Sequence, residues 1–164
     1  MEIIVVLSGI RSLYNVGSIF RTSDAAGVKK VYLCGITPKP IDRFGAPEKN
    51  LEKVSLGAEK WIPWKYFKTT TQAIKSLKSE DYYIISLEQS KKSINFEVLD
   101  KNIKSKNISK IAIILGGEVD GVSKTILEKS DTILEIPMYG RKESLNVSVA
   151  YGIAVYGILS FRNV

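Results

Sequence analysis

Two uninterrupted apolar runs constrain the fold of this chain more than any other feature of its sequence. Residues 3–7 (IIVVL) and 111–115 (IAIIL) contain no polar side chain, and residues 31–34 (VYLC) continue the pattern. A strand with one wet face alternates apolar and polar residues, whereas a strand of a parallel sheet is covered on both faces and is apolar throughout. The runs therefore predict a mainly parallel sheet that is flanked by helices.

Helical patterns separate the predicted strands. Asn15 is predicted as the N-cap of a helix that ends near Gly27, because asparagine favours helix starts and glycine favours the position after the last turn. Further helices are predicted over residues 47–54, 69–77, 123–129 and 146–160, further strands over residues 82–87 and 132–136, and a short extended piece over residues 61–64. Strands that alternate with helices indicate the α/β class. No repeat or linker divides the chain, so we predict one domain over residues 1–164.

The composition excludes several kinds of catalytic and metal site. The chain has no histidine and one cysteine, Cys34. Without histidine there is no Ser-His-Asp triad, no Cys-His dyad and no histidine metal ligand. With one cysteine there is no disulfide within the chain and no Cys-rich metal site. We therefore expect no metal cofactor and a reducing compartment, the cytoplasm.

We expect neither a targeting segment nor a membrane-spanning segment. Residues 1–7 carry an acid and only a short apolar run, unlike a signal peptide. Residues 145–161 are uncharged, but they include several polar side chains and fall short of the roughly 20 residues that span a bilayer, so we predict a buried helix there. The 24 Lys and Arg residues exceed the 17 Asp and Glu residues, and the net charge of +7 fits a polyanionic partner such as nucleic acid.

The first polar constellation is residues 11–22 (RSLYNVGSIFRT). In the predicted helix, Gly17 and Ser18 leave backbone N–H groups open at the N-terminus, which attracts anions. Arg11 and Arg21 are suited to hold a phosphate or a developing oxyanion. The alternative is an ordinary capped helix with solvated arginines.

The second constellation is residues 111–123 (IAIILGGEVDGVS), where the apolar strand stops at Gly116 and Gly117 and is followed by Glu118. Ligands of open parallel sheets bind at the carboxyl ends of the strands, and glycine lets a ligand approach the backbone. The segment has neither the G-x-G-x-x-G dinucleotide fingerprint nor a P-loop. The alternative is a simple glycine turn.

The third constellation is residues 134–150 (LEIPMYGRKESLNVSVA). A strand ends at a proline, a basic loop follows, and Ser144 and Asn146 open an almost wholly apolar helix. Polar side chains at such a position need partners, because an unsatisfied buried group costs about 1–3 kcal/mol. The alternative is that one of them is a helix cap and nothing more.

Together the three segments resemble the SpoU (TrmH-type) RNA ribose methyltransferases of the SPOUT superfamily. The matching motifs are N-x-G-x-I-x-R-T at residues 15–22, the strand with a G-x-E-x-x-G turn at residues 116–121, and I-P-M followed by S-L-N-V-S-V-A at residues 136–138 and 144–150. Gly117 departs from the pattern, since the family usually carries Asn or Ser there. Order and spacing match across residues 3–160.

The resemblance implies a deep trefoil knot in the C-terminal part, a homodimer, and S-adenosylmethionine as the donor of a methyl group to a ribose 2′-hydroxyl of tRNA or rRNA. By similarity, the catalytic and substrate-orienting residues are Asn15, Arg21, Glu118, Ser144 and Asn146. The cofactor-binding residues are Leu87, Gly116, Gly117, Ile136, Met138, Ser144 and Leu145. Arg21 is expected to stabilise charge and not to act as a base, because arginine stays protonated in proteins.

The alternatives to this enzyme are a non-catalytic RNA-binding or assembly module on the same fold, and a small-molecule α/β enzyme. Because the first motif strand begins near the start of the sequence, no separate RNA-binding domain is expected, and the domain itself is predicted to hold RNA. The RNA-binding residues predicted first are Arg11, Arg21, Arg141 and Lys142, with Lys39 and Arg43 near the same loops. A second basic group, at Lys91, Lys92, Lys101, Lys104, Lys106 and Lys110, either contacts RNA or is a solvated loop.

Overall fold

The computed structural model describes residues 1–161, which form six strands and seven helices. The strands are β1 (Glu2–Ser8), β2 (Lys30–Cys34), β3 (Trp64–Phe67), β4 (Tyr83–Leu87), β5 (Lys110–Gly116) and β6 (Thr132–Leu134). The helices are α1 (Leu13–Ala25), α2 (Lys49–Ser55), α3 (Ala58–Trp61), α4 (Thr70–Lys78), α5 (Phe96–Ser105), α6 (Lys124–Leu127) and α7 (Val147–Leu159).

The six strands form one parallel sheet in the order β3-β2-β1-β5-β4-β6. In the centre of the sheet, Val5 of β1 lies between Val31 of β2 and Ile113 of β5. The predicted parallel α/β class is therefore confirmed. The apolar runs are explained by burial on both faces: α1, α2, α3, α5 and α7 contribute to the core on one face, and α4 and α6 to the core on the other.

Several predicted boundaries are wrong, for local reasons. Ser12, not Asn15, caps α1, and its side chain accepts a hydrogen bond from the backbone N–H of Asn15. Residues 61–64 are not one extended piece, since Trp61 ends α3 and Trp64 begins β3. Helix α5 was not predicted at all. It buries Leu99 and Ile103, but six of its ten residues are polar, and its lysines were assigned only to the second basic group.

Helix α7 is only half buried. Tyr151 and Val155 face the core, and the Tyr151 hydroxyl hydrogen-bonds to the buried Ser23 hydroxyl of α1 at 2.7 Å. The opposite face exposes Val149 (52%) and Tyr156 (50%), so the helix predicted to be buried is buried on one face only. No helix within residues 1–161 is long and apolar enough to cross a membrane.

The predicted knot depends on the path that the chain follows after β6. From β6, at the edge of the sheet, the chain returns to pack α7 against α1 and β5. Asn15 near the start of α1 contacts Asn146 before α7, and Thr22 further along α1 lies against Gly152. The two helices therefore run side by side in the same direction, and both begin at the carboxyl edge of the sheet, where the strands end. The trefoil knot itself stays a prediction.

Candidate active site

A cavity of about 670 Å³ opens at the carboxyl edge of the sheet, between the loops that follow β4, β5 and β6. Ligands of open parallel sheets bind at this edge. All seven residues predicted to bind the cofactor line the cavity: Leu87, Gly116, Gly117, Ile136, Met138, Ser144 and Leu145. Glu118 and Asn146 line it as well. The structure thus brings together segments that lie up to about sixty residues apart in the sequence.

The glycines of the β5 loop line the cavity and also make room for neighbouring backbone. A Cβ atom on Gly116 would overlap the backbone of Gly121, and one on Gly117 would lie 2.7 Å from the Gly9 carbonyl oxygen. Gly121 has φ +61°, a left-handed conformation that favours glycine. The absence of side chains at Gly116 and Gly117 therefore lets the turn close tightly, and the approach of a ligand to their backbone stays a prediction.

Glu118 collects three N–H donors from the loop after β1 and from α1. Its carboxylate accepts hydrogen bonds from Asn15 Nδ2 at 2.7 Å and from the backbone N–H groups of Arg11 at 3.2 Å and Ser12 at 3.3 Å. Burial by itself raises the pKa of Glu118, but these hydrogen bonds outweigh it and hold the pKa below its ordinary value. Glu118 is therefore ionised at neutral pH.

The network continues from Glu118 to the start of α7. Because Asn15 donates through Nδ2, its Oδ1 is left as an acceptor, and it accepts from Asn146 Nδ2 at 3.1 Å. The Asn146 Oδ1 in turn accepts from the backbone N–H of Ser148 at 2.9 Å and from its hydroxyl at 2.7 Å. Asn146 is the N-cap of α7, so its capping role and its place in the network coexist. Each amide is thereby fixed in one orientation.

Ser144 is the one predicted catalytic residue at the cavity whose side chain stays unengaged. It lines the cavity, and its hydroxyl makes no hydrogen bond within residues 1–161. A free hydroxyl beside an ordered amide network is available to a substrate.

Three residues that the sequence analysis missed hold loops at this edge of the sheet in place. Glu88 accepts from the backbone N–H of Val122 at 2.8 Å, and Gln89 donates to the Glu143 carbonyl oxygen at 2.6 Å. On the other side, the buried Thr37 hydroxyl accepts from Gly9 N and Ile10 N and donates to the Leu7 carbonyl oxygen. Glu88 could have been found, since it directly follows strand β4.

The predicted arginines and the lysine lie outside the cavity wall. Arg11, Arg21, Arg141 and Lys142 are all exposed, and none forms an ion pair within the described part of the chain. Arg11 contributes its backbone N–H to Glu118, whereas Arg21 lies further along α1 and contacts none of the network.

The anion site predicted at Gly17 and Ser18 is wrong. Both residues lie inside α1, past its open first turn, so their N–H groups are not at a helix N-terminus. A Cβ on Gly17 would lie 2.8 Å from the Leu51 carbonyl oxygen. This glycine therefore allows α1 and α2 to pack closely.

The second basic group is largely engaged with nearby protein groups. Lys101 pairs with Glu97 and Lys104 with Asp100 on α5, and Lys110 donates to the Glu80 carbonyl oxygen. Among residues 1–161 no cluster of three or more Cys, Asp or Glu side chains is arranged to hold a metal ion.

The cavity at the carboxyl edge and the ordered polar network beside it are typical of an α/β protein that binds a small ligand. The sequence identifies the family to which the chain belongs. The model of the SpoU rRNA Methylase family matches residues 2–156. The chain therefore belongs to this family, and the resemblance read from its three motifs is confirmed.

Individual relatives agree. The chain is 32% identical over 155 residues to a tRNA (guanosine(18)-2'-O)-methyltransferase from Aquifex aeolicus, covering 94% of this chain and 67% of that protein. It is 31% identical over 154 residues to the 23S rRNA (guanosine-2'-O-)-methyltransferase RlmB from Xylella fastidiosa, covering 94% and 57%. The chain spans 60%, 67% and 64% of the length of three curated relatives that it matches.

Solved structures show the same fold. The crystal structure of the A. aeolicus TrmH/SpoU tRNA modifying enzyme matches with a TM-score of 0.81 and 30% identity, over 98% of this chain and 75% of that chain. The AdoMet-bound rRNA methyltransferase from Sinorhizobium meliloti matches with a TM-score of 0.85 and 24% identity, over 99% and 57%.

Proposed function

We propose that this protein is an S-adenosylmethionine-dependent RNA methyltransferase that acts on a ribose 2′-hydroxyl of tRNA or rRNA. The observation that carries the proposal is the cavity that gathers the predicted cofactor residues beside the Glu118–Asn15–Asn146 network. Relatives named as tRNA and rRNA 2'-O-methyltransferases support it. We further propose that the protein works in the cytoplasm and that residues 1–164 belong to one methyltransferase domain.

The cavity fits the cofactor in size and in lining. Its volume of about 670 Å³ lies within the range of small-molecule sites, roughly 300–1,000 Å³. Leu87, Leu115, Ile136 and Leu145 provide apolar walls for a flat base, and Glu88 provides a carboxylate at the rim. When bound, S-adenosylmethionine supplies an electrophilic methyl group on a sulfonium. Transfer of that group needs no metal and no covalent intermediate on the protein.

The chain's own residues align and stabilise the acceptor. The ionised Glu118 fixes Asn15, and Asn15 fixes Asn146, so that the amide N–H groups point in set directions without reorganising during the reaction. The free hydroxyl of Ser144 is placed to hydrogen-bond with the ribose or its phosphate. Because an arginine side chain does not serve as a base in proteins, the role of Arg21 is to stabilise charge on the 2′-oxygen or to hold the adjacent phosphate.

The reaction is tested by incubating the protein with methyl-labelled S-adenosylmethionine and total RNA, followed by alkaline hydrolysis. A 2′-O-methyl group blocks cleavage of its own linkage, so label in alkali-resistant dinucleotides is the expected result. Label on a base contradicts the ribose assignment. RNA binding without any methyl transfer would instead favour a non-catalytic RNA-binding module.

Arg21→Ala is expected to abolish methyl transfer, since losing a charge-stabilising donor costs on the order of 100- to 1,000-fold in turnover. Cofactor affinity and thermal stability should change little, because Arg21 is exposed and lies away from the cavity wall. Steady-state kinetics measure the turnover, isothermal titration measures the cofactor affinity, and thermal unfolding measures the stability. Near-normal turnover in this variant would remove Arg21 from the catalytic residues.

The outward face of α7 supports a homodimer. Val149, Ile153 and Tyr156 are 43–52% exposed and recur at the three- and four-residue spacing of one helix face. Tyr14 and Arg21 lie on the outward face of the neighbouring α1, so a second copy that covers α7 would also approach Arg21. Val149→Asp should convert the dimer into a monomer in sedimentation velocity. A wild-type protein that is monomeric at micromolar concentration contradicts this arrangement.

A further inference from the structure

We propose that a surface beside the candidate active site binds an unpaired base of the RNA substrate by stacking, which extends the proposed function to a specific part of that substrate. The surface consists of Lys39, Arg43, Phe44 and Tyr66, and is called the β2–β3 patch, because it lies on the loop after β2 and on β3. None of its residues lines the cavity.

Phe44 is exposed because an ordered turn holds it there. The Asp42 carboxylate accepts hydrogen bonds from the backbone N–H groups of Phe44 at 2.8 Å and Ala46 at 2.9 Å, and Asp42 N donates to the Ala46 carbonyl oxygen. Ile41 and Pro47 form a bridge just behind this tip. Phe44 is 80% exposed. A large apolar ring fixed in water at the tip of a structured hairpin is preorganised to contact a flat partner.

A positively charged side chain lies over each aromatic ring of the patch. The Arg43 guanidinium lies 4.7 Å from the centre of the Phe44 ring, and the Lys39 ammonium lies 4.4 Å from the centre of the Tyr66 ring. Such cation–π contacts hold the long side chains beside the rings. The patch therefore pairs each ring with a positive charge, a combination that matches a nucleobase and its phosphate.

The positive charges of the patch are not neutralised by nearby acids. Neither Lys39 nor Arg43 forms an ion pair within residues 1–161. Four acids lie in the same part of the chain: Asp42 accepts hydrogen bonds within the turn, Glu48 forms an ion pair with neither cation, Glu52 pairs with Lys60, and Glu59 is buried against Ser55. Both cations are thus available to an anion.

The patch is rigidly joined to the candidate active site. Thr37, two residues before Lys39, ties the patch loop through its hydroxyl to Leu7, Gly9 and Ile10. The next residues, Arg11 and Ser12, donate to Glu118. The cavity occupies the carboxyl ends of β4, β5 and β6, and the patch follows β2 along the same edge. An RNA whose ribose reaches the Glu118 network is therefore within reach of the patch.

The chemistry favours unpaired RNA over duplex RNA or protein. A base stacks on an aromatic ring only when its own face is free, and each such contact changes affinity by about 5- to 150-fold. In a duplex the base faces are covered. A protein partner would be matched by a continuous apolar surface, whereas here each ring is beside an unpaired cation.

Phe44→Ala tests the stacking contact. We expect this variant to bind a labelled single-stranded oligoribonucleotide about tenfold more weakly than the wild type in fluorescence anisotropy, and to bind a duplex of the same sequence equally well. The salt dependence should stay the same, because no charge is removed. Phe44→Trp keeps a stacking surface and should retain the wild-type affinity. Val98→Ala, at an exposed apolar site on α5, is the matched control and should have no effect.

Arg43→Gln tests the charge that accompanies the ring. Its affinity for the single strand should fall, and the slope of log K against log salt should be smaller in magnitude by about 0.7, the value for one phosphate contact on a single strand. Lys75→Gln removes the same charge from the exposed surface of α4 and should leave affinity and slope nearly unchanged.

Methyl transfer to tRNA separates the outcomes. Phe44→Ala should raise KM about tenfold and leave kcat unchanged. If the wild type methylates RNA and Phe44→Ala shows wild-type affinity and KM, the patch proposal fails while the proposed function stands. If Phe44→Ala alters only the sedimentation of the protein, the patch is a contact between copies and the proposal is overturned. If the wild type neither binds nor methylates RNA, both proposals fail.

Discussion

The two edges of the sheet each carry a depression of nearly equal volume, but the two differ in how fully their polar groups are paired. The cavity at the carboxyl edge measures about 670 Å³, and a groove at the amino edge, between the starts of β4, β5 and β6, measures about 610 Å³. In the groove the charges are engaged locally: Lys78 lies 3.5 Å from Asp131, Lys110 donates to the Glu80 carbonyl oxygen, and Lys106 lies over the Tyr83 ring. In the cavity a carboxylate orders amides whose remaining N–H groups are open.

The direction of the chain accounts for this difference. In a parallel sheet every strand ends at the same edge, so the helices that follow begin there with open backbone N–H groups. Helices α1 and α7 both start beside the cavity, whereas the amino edge receives helix ends and tight turns at Asp81 and Asn107, both with positive φ. Volume alone therefore does not identify a site. Polar groups that are held in place yet left unsatisfied do.

The largest effect is expected when a side chain is added to Gly116, because the backbone of Gly121 occupies the space that its Cβ would need. Gly116→Ala places a Cβ inside the backbone of Gly121, and overpacking of this kind costs about 1–3 kcal/mol. The turn must shift, and cofactor affinity should fall by up to about 100-fold in isothermal titration. Gly140→Ala is the matched control, since nothing lies within 4 Å of the added atom. Normal binding by Gly116→Ala would show that the turn does not shape the cavity.

A smaller effect is expected from exchanging one carboxylate at each edge for an amide. Glu118→Gln turns an acceptor of three N–H groups into a group with donors of its own, so turnover should fall about 10- to 100-fold, from an unsatisfied-group cost of about 1–3 kcal/mol. Asp131→Asn, at the amino edge, weakens the contacts with Ile84 N and Lys78. It should lower the free energy of unfolding by about 1 kcal/mol without lowering turnover. Equal losses of turnover in both variants would erase the contrast between the two edges.

The smallest effect concerns pH. The pKa of Glu118 in the folded protein lies below its ordinary value, so the stabilisation of the network is fully present above that ordinary value and is lost as the pH falls through the lower, folded pKa. The ratio of wild-type turnover to that of Glu118→Gln should therefore stay constant between about pH 6 and pH 8. An acid limb of this ratio inside that window would mean that Glu118 gains its proton near neutrality.

The sequence predicted the elements whose burial leaves a pattern. Residues 3–7 and 111–115 were read as parallel strands because burial on both faces removes every polar side chain from them. Helix α5 was missed although Phe96, Leu99 and Ile103 recur at the spacing of one helix face. Its lysines were assigned only to a basic group, so the apolar period between them was overlooked.

The site was predicted in its parts but not in its connections. The three motifs gave Glu118, Asn15 and Asn146, yet nothing in their spacing shows that one amide orients the next. Thr37 and Glu88 were missed because each acts on a backbone about thirty residues away, Thr37 on Leu7 and Glu88 on Val122. Contacts from one side chain to a distant backbone have no local sequence pattern, and only the folded arrangement reveals them.

The hydrogen bond between Asn15 and Asn146 joins positions 131 residues apart. A nascent chain can pair β1 with β2 early, but it has no Asn146 to offer until the start of α7 has been synthesised, and long-range contacts of this kind form late in folding. Competence for catalysis therefore requires that the chain has been synthesised at least as far as the start of α7. A cell that cuts short translation of this protein obtains fragments that carry Arg21 and much of the basic surface but lack the completed network.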